Sequence, residues 1–313
     1  SYTDISQYSN EFSKQSFESY SELLDAFYTA RENSERLKRS ASDIIKLVTN
    51  LRARTERKLA IRLNDLKKCE NRETLRIYGE LLKANLYRLK NGASFAEVEN
   101  YYDEMKPVRI PLNPALSPQK NADKYFKDYK KSYTAERTLT ELTQKDEEEL
   151  RYFDSVLDSI ARSVSLSEIS EIREELALAG YIKQNGTHKK KSSAVPQFKE
   201  YTSDEGYKIL VGKNNRQNDY LTTELAAKND LWFHVKNIPG SHVIVMCRGG
   251  EVSEETIMKA AALAAANSKA ADSSQVPVDY TPVKFVKKPS GAKPGMVIYT
   301  TNKTVFVTPQ NLS

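Results

Sequence analysis

The sequence predicts an α+β protein in which a long antiparallel helical coiled coil with a small tip subdomain precedes a compact mixed α/β domain. Two long segments, residues 33–69 and 121–163, contain neither glycine nor proline and carry apolar residues at heptad spacing. From residue 198 onward, short apolar runs alternate with turn residues, which is typical of strands. A hydrophobic content of 39% with a charged content of 29% favours long exposed helices over one compact globule.

The first long segment has an apolar seam that advances in steps of four and three residues. The seam comprises Leu37, Ala41, Ile44, Val48, Leu51 and Thr55. It then slips through Leu59, Leu63 and Leu66, which indicates a stutter in the coiled coil. A separate helix is predicted just before it, over residues 17–31.

The second long segment, residues 121–163, supplies a matching seam that includes Phe126, Leu139, Leu150, Phe153 and Leu157. Because both seams lie in one chain with an insertion between them, we expect an antiparallel intramolecular pair. Ordinary bundle packing within a compact globule is the alternative.

The insertion between the seams, residues 70–119, is predicted to form the tip subdomain. It contains a helical pattern over residues 74–89 and a hairpin made of residues 98–102 and 107–111. After the second seam, a further helix is predicted over residues 167–179, with Ser167 as its N-cap and Gly180 ending it. Residues 1–182 therefore form a helical arm.

Residues 183–197, KQNGTHKKKSSAVPQ, read as a basic linker and mark the domain boundary. A solvated linker and a direct role in RNA binding are both compatible with this composition.

The second domain, residues 198–313, is predicted to contain strands at residues 207–211, 231–235 and 242–246. Helices are predicted at residues 218–228 and 253–270, the second with Ser253 as N-cap. A strand region follows at residues 276–287. A final hairpin is predicted between residues 295–299 and 304–308.

No catalytic constellation is present in the sequence. His234 and His242 lack a third ligand at metal-site spacing, so neither a metal site nor a cofactor is predicted. No nucleophile elbow or phosphate-binding glycine loop follows a strand. Cys69 and Cys247 are too few and too far apart for a disulfide framework. The sequence therefore predicts that this chain is not an enzyme.

Nucleic acid is the partner class that the sequence favours. The net charge is +6, and cationic and amide side chains are concentrated in the second domain. Amide and cationic groups together supply hydrogen bonds and charge for phosphate and sugar. The candidate RNA-binding residues are Lys213, Asn214, Asn215, Arg216, Asn218, Lys228, Trp232, His234, Lys236, Lys287 and Lys288.

Two alternatives stay open at these candidate residues. Trp232 either stacks on a base or fills the core. The asparagines near residue 215 either contact RNA or cap the helix that follows them and tie the loop to its own backbone.

Several motifs carry a resemblance to a known family. They are NDYLT at residues 218–222, the pattern AxxxDxWFH at residues 226–234 and PGSHV at residues 239–243. Further matching segments are residues 79–86, 110–114, 287–289, 295–299 and 305–309. The chain resembles the coiled coil and NFACT-R domain of the NFACT family, which contains bacterial RqcH, eukaryotic NEMF and streptococcal fibronectin-binding protein A. The resemblance is greatest to the bacterial RqcH members.

This resemblance implies a cytoplasmic ribosome-associated quality control factor with no membrane partner. Such proteins bind obstructed large ribosomal subunits, through rRNA and ribosomal proteins, and recruit tRNA for template-free alanine tailing of stalled nascent chains. The family's tRNA-discriminating residues lie in an N-terminal half that this sequence is expected to lack, so we expect binding without tailing. A surface adhesin that binds fibronectin or fibrinogen is the alternative that the resemblance implies.

Overall fold

The structure, a computed structural model, describes residues 16–183 and 196–310. The chain is α+β, as predicted, and divides into two compact units. One unit is Thr49–Asp154, and the other combines Ser1–Val48 with Ser155–Ser313. Most of the predicted basic linker, residues 184–195, lies outside the described residues.

Two long helices supply the coiled coil, α1 (Tyr20–Cys69) and α3 (Pro118–Arg162). The helix predicted over residues 17–31 is continuous with the next one, because no residue between them breaks a helix. Within Thr49–Asp154, Arg52 bonds Asp154 at 2.7 Å, and Thr55 bonds Glu149 at 3.0 Å. Arg62 pairs further along with Asp146. Partner numbers fall along α3 as they rise along α1, which confirms the antiparallel pairing.

The apolar seam of α1 follows the predicted spacing through its first part. Ala41, Ile44 and Val48 are buried, and Thr55 follows them in register. Leu63 is 41% exposed, so the buried face of α1 has shifted around the helix axis by that point. This rotation is what a stutter in the heptad pattern produces.

The tip subdomain contains α2 (Arg72–Ala84), a single 3₁₀ turn and a two-stranded hairpin. Strands β1 (Phe95–Asn100) and β2 (Lys106–Pro111) are antiparallel, with Val98 opposite Val108. Its small core joins all three elements to the start of α3 and consists of Leu81, Leu82, Ala96, Val98, Ile110, Leu112 and Ala122.

Helix α4 (Leu166–Leu178) begins at a different cap from the predicted one. Ser165 is the N-cap, and its hydroxyl accepts a hydrogen bond from the Glu168 N–H at 3.3 Å. The carboxylate of Glu168 accepts a bond from the Val164 N–H at 2.8 Å. Ser165 has a glutamate three residues later, as a capping box requires, whereas the predicted cap Ser167 is followed at that spacing by Ser170.

The C-terminal domain is built on a six-stranded antiparallel sheet. Its strands are β3 (Lys199–Thr202), β4 (Lys208–Val211), β5 (Leu231–Val235), β6 (Val243–Val245), β7 (Val276–Pro282) and β10 (Lys303–Val307). Their order across the sheet is β10-β7-β5-β6-β4-β3. Helix α6 (Glu254–Ala266) covers one face, and its predicted N-cap Ser253 accepts from the Thr256 N–H at 3.2 Å.

The opposite face of the sheet is covered by α5 (Asn215–Tyr220), a π turn (Leu221–Leu225) and the strand pair β8 (Val286–Lys287) and β9 (Ile298–Tyr299). The prediction of a helix over residues 218–228 was wrong in its start and its continuity. The helix begins at Asn215, three residues before the predicted start, with Asn214 as its N-cap, and the π turn ends it before residue 226.

The predicted final hairpin was also wrong. Strand β9 pairs with β8, whereas β10 pairs with β7 at the edge of the main sheet. Val297 and Tyr299 pack on the core beneath the π turn, while Val305 and Val307 pack on the α6 side. The two segments therefore serve opposite faces of the sheet and do not pair with each other.

The position of the α4 cap is testable with two matched serine variants. Ser165→Ala should lower the free energy of unfolding by about 1 kcal/mol, because the Glu168 N–H loses its acceptor. Ser167→Ala, on an exposed residue, should change it by less than about 0.5 kcal/mol. Urea unfolding followed by circular dichroism measures both. A larger loss for Ser167→Ala would contradict this cap.

Candidate nucleic-acid interface

The loop that follows β4 contains the densest group of predicted RNA-binding residues, and it docks on α4. Lys213 pairs with Glu168 at 3.3 Å, and Arg216 pairs with Glu174 at 2.8 Å. Both cations therefore face protein carboxylates in this structure.

The amides of the same loop also bond α4. Asn214 and Gln217 donate to the same carboxylate oxygen of Glu171, at 2.7 and 2.9 Å. The buried Asn215 donates to Glu175 at 3.1 Å and to Ser155, in α3, at 3.0 Å. Together with the Lys213 and Arg216 ion pairs, these contacts join the loop to one acidic face of α4, which we call the α4 clasp.

Asn218 is committed to the sheet domain itself. Its side chain donates to the Gly240 carbonyl at 3.3 Å and accepts from the His242 N–H at 3.0 Å. A Cβ on Gly212 would lie 2.2 Å from the Asn218 oxygen, so only glycine fits at that position. The tie links the loop to the Pro-Gly turn that precedes β6, and Asn218 itself is buried.

The Pro-Gly turn is in turn attached to the end of α3. Arg162 donates to the Ser241 hydroxyl at 3.0 Å and pairs with Asp158 at 2.8 Å. Ser241 donates to the Gly212 carbonyl. Burial raises the pKa of Asp158, and the adjacent guanidinium of Arg162 opposes that shift. These bonds hold Gly212, at the start of the loop after β4, to the Pro-Gly turn and to the end of α3.

Trp232 is fully buried, so the core role is the one that the structure shows for this side chain. Its ring stacks on His234 at 5.7 Å between centroids and meets Tyr299 at 4.8 Å. Phe233 is buried too, in the core under α6, because the sheet is covered on both faces. No ring face of Trp232 is left for stacking on a base.

The two histidines beside Trp232 are neutral near pH 7. Burial lowers the pKa of His234 to about 4, although nearby Asp279 opposes the shift. Burial and the neighbouring His234 hold the pKa of His242 well below its usual value. His242 Nδ1 lies 2.7 Å from the Thr222 hydroxyl. Neither ring supplies positive charge for phosphate at neutral pH.

The remaining predicted cations do not form one surface. Lys236 lies 4.0 Å from the buried Asp279, and Lys288 pairs with Asp219 at 2.7 Å. Lys228 and Lys287 are exposed and have no ion pair within the described residues. Lys228 precedes β5 and Lys236 follows it, so the two lie at opposite ends of that strand.

Sequence reasoning missed two groups of residues. One is the row of α4 glutamates, which was visible as four acidic residues at helical spacing just before the domain. The other is the pair Arg248 and Lys284, which are exposed beside Lys228. For Arg248, the visible signal was an arginine followed by two glycines after a buried strand.

No metal centre is formed by the part of the chain that the structure describes. In residues 16–183 and 196–310, no group of three or more histidine, cysteine, aspartate or glutamate side chains is placed to hold an ion. Over the same residues, no helix has the length and apolar character needed to span a membrane.

Comparison with protein families gives two matches. Residues 1–194 match the NFACT N-terminal and middle domains, and residues 197–300 match the NFACT protein RNA binding domain.

Individual relatives agree with these matches. The chain is 48% identical over 296 residues to the Rqc2 homolog RqcH of Bacillus subtilis, covering 94% of this chain and 51% of that protein. It is 41% identical to the Rqc2 homolog RqcH of Streptococcus suis, covering 94% and 52%. Mouse coiled-coil domain-containing protein 25 is 31% identical over 106 residues, covering 32% of this chain and 50% of that protein. The chain thus spans about half the length of these relatives.

A solved structure has the same fold. The C-terminal part of the fibronectin/fibrinogen-binding protein from Streptococcus suis superposes with a TM-score of 0.69 at 36% identity. The superposition covers 88% of this chain and 96% of that one.

The α4 clasp predicts unequal effects of removing its two cations. Lys213→Met should lower the free energy of unfolding by about 1–3 kcal/mol, because it leaves the nearly buried Glu168 without its cation. Arg216→Met should cost less than about 1 kcal/mol, because both partners of its pair are largely exposed. Chemical denaturation followed by circular dichroism compares the two variants. Equal small losses would show that Lys213 makes no stabilising contact in solution.

The histidine pair predicts a loss of stability in mild acid. The folded pKa of His234, about 4, lies below the unfolded value of about 6.5, so the unfolded state binds the extra proton between them. The contribution of His234 to the free energy of unfolding should therefore be almost complete at neutral pH. It should fall by about 2 kcal/mol from pH ~7 to pH ~5.

The control for this prediction is His234→Gln. Comparing its loss between the two pH values with that of the unsubstituted chain isolates the contribution of His234 from that of the carboxylates. An unchanged pH dependence in the variant would mean that His234 titrates normally in the folded protein.

Proposed function

The chain belongs to the NFACT family, and we propose that it forms the RNA- and ribosome-binding part of a ribosome-associated quality control factor. The observation that carries this proposal is the match of residues 197–300 to the NFACT protein RNA binding domain. That match covers five of the six strands of the sheet and its covering elements, and it ends before β10.

The wider activity is proposed from the relatives that carry the name RqcH. In this proposal the longer protein binds obstructed large ribosomal subunits and recruits tRNA for template-free alanine tailing. The helices and the C-terminal domain contribute rRNA and ribosomal-protein contacts and catalyse no reaction themselves. The proposed location is the cytoplasm, and the two buried, unbridged cysteines agree with a reducing compartment.

A second candidate is adhesion to fibronectin or fibrinogen. The superposed Streptococcus suis protein supports it, because that protein is named for binding fibronectin and fibrinogen. The two candidates differ in the chemistry of their partners, since ribosomal RNA is polyanionic and its binding weakens steeply with salt.

Co-sedimentation on sucrose gradients tests the leading proposal. The chain should migrate with purified large subunits at low salt and dissociate as salt rises, because phosphate contacts release counterions. Immobilised fibronectin, run in parallel, should retain none of it. Retention on fibronectin without co-sedimentation would replace the quality control proposal with the adhesin.

A further inference from the structure

We propose that RNA phosphates bind at one end of the C-terminal sheet, on a surface formed by Lys228, Arg248 and Lys284. This inference rests on the proposed RNA-binding function and assigns that function a location. Only Lys228 of the three was among the residues that the sequence predicted.

Backbone hydrogen bonds bring the three cations together. The Lys284 N–H donates to the Lys228 carbonyl at 2.9 Å. The Arg248 N–H donates to the Asp230 carboxylate at 2.7 Å, and the Val283 N–H donates to the Asp230 carbonyl at 2.9 Å. Three separate chain segments are thereby held side by side, so their side chains leave from neighbouring points.

Asp230 organises this surface from beneath. It is fully buried, and its second carboxylate oxygen accepts from the Ala227 N–H at 2.8 Å. Both oxygens therefore bond backbone amides, which is the arrangement expected of a residue that shapes two loops.

The backbone at Arg248 is held in an unusual conformation. Its φ is +51°, and Gly249 follows at +90°, so two consecutive residues lie in the left-handed region. An arginine in that region carries conformational strain, which persists where the surrounding structure imposes it and is frequent at binding sites. Here the hydrogen bond from the Arg248 N–H to the Asp230 carboxylate holds the backbone in this conformation.

The three cationic side chains are available to a ligand. All three residues are exposed, and none has an ion pair within the described residues. Lys284 lies over the Phe285 ring at 5.3 Å, a contact that leaves its charge unneutralised. Lys213, Arg216 and Lys288, by contrast, all face carboxylates.

The concave surfaces on the two sides of the domain differ in charge. The pocket beside Arg248 has a volume of about 350 Å³ and no acidic residue in its lining, which is Asn229, Leu231, Cys247, Gly249, Gly250, Val252 and Pro282. The larger pocket beside the α4 clasp, about 780 Å³, has more carboxylates in its lining (Glu171, Glu174, Glu175, Asp219 and Glu224) than cations (Arg216 and Lys293). Like charge disfavours phosphate at the larger pocket, so the small one is the side that suits an RNA backbone.

Two matched triple variants of the whole chain test this location. The first is Lys228→Gln with Arg248→Gln and Lys284→Gln. The second, Lys259→Gln with Lys269→Gln and Lys303→Gln, removes the same charge elsewhere on the domain. Fluorescence anisotropy with a labelled single-stranded RNA over a salt series gives the affinity and its salt slope, and circular dichroism confirms folding.

The first variant should bind about 10- to 100-fold more weakly near physiological salt, and its salt slope should shrink by about 2, because three phosphate contacts are lost. The second variant should stay within about 3-fold of the unsubstituted chain. Equal effects of the two variants, or no effect of the first, would overturn this location while leaving RNA binding intact. Failure of the unsubstituted chain to bind RNA even at low salt would instead overturn the proposed function.

Discussion

The acidic face of α4 determines how the loop after β4 is used. Glutamates that follow one another at helical spacing accept bonds from both cations and from three amides of that loop. Because Glu168 and Glu175 are buried, removing a partner from either would leave a carboxylate poorly solvated, and the contacts are stabilising mainly in that sense. The same helix is fixed to α1 through Arg173 and Asp43 at 2.9 Å, so α4 is an acidic link between the sheet domain and α1.

Charge and location together explain which cations can meet RNA. A lysine or arginine satisfied by a carboxylate must lose that partner before it binds phosphate, which reduces the net gain. Lys213, Arg216 and Lys288 fall in that class, while Lys228 and Arg248 have no such partner in the described chain. The favourable surface for a polyanion is therefore at the end of β5 away from Lys236.

Much of the fold was predictable because its signals are local. The heptad spacing identified both long helices, and the strand Leu231–Val235 was predicted at its observed bounds. The prediction of the final hairpin was wrong because strand pairing depends on which face of the sheet each segment must cover. One segment covers Trp232, and the other packs on the side of α6. The carboxylate partners of the loop after β4 could not be predicted for a chemical reason: lysine, arginine and asparagine bond a carboxylate as readily as a phosphate. The deciding partner, Glu171, lies 43 residues before Asn214 and has no local signature.

The burial of Trp232 has a spectroscopic consequence. It is the only tryptophan of the chain, and its indole N–H is enclosed with no hydrogen-bond partner among the described residues. Its emission therefore comes from a site in the sheet domain that is shielded from bulk solvent, and it carries no direct signal from α1 or α3. Fluorescence-detected unfolding follows the sheet domain alone, whereas far-ultraviolet circular dichroism is dominated by the helices. If the two units unfold separately, the two optical signals will give different midpoints for the same sample.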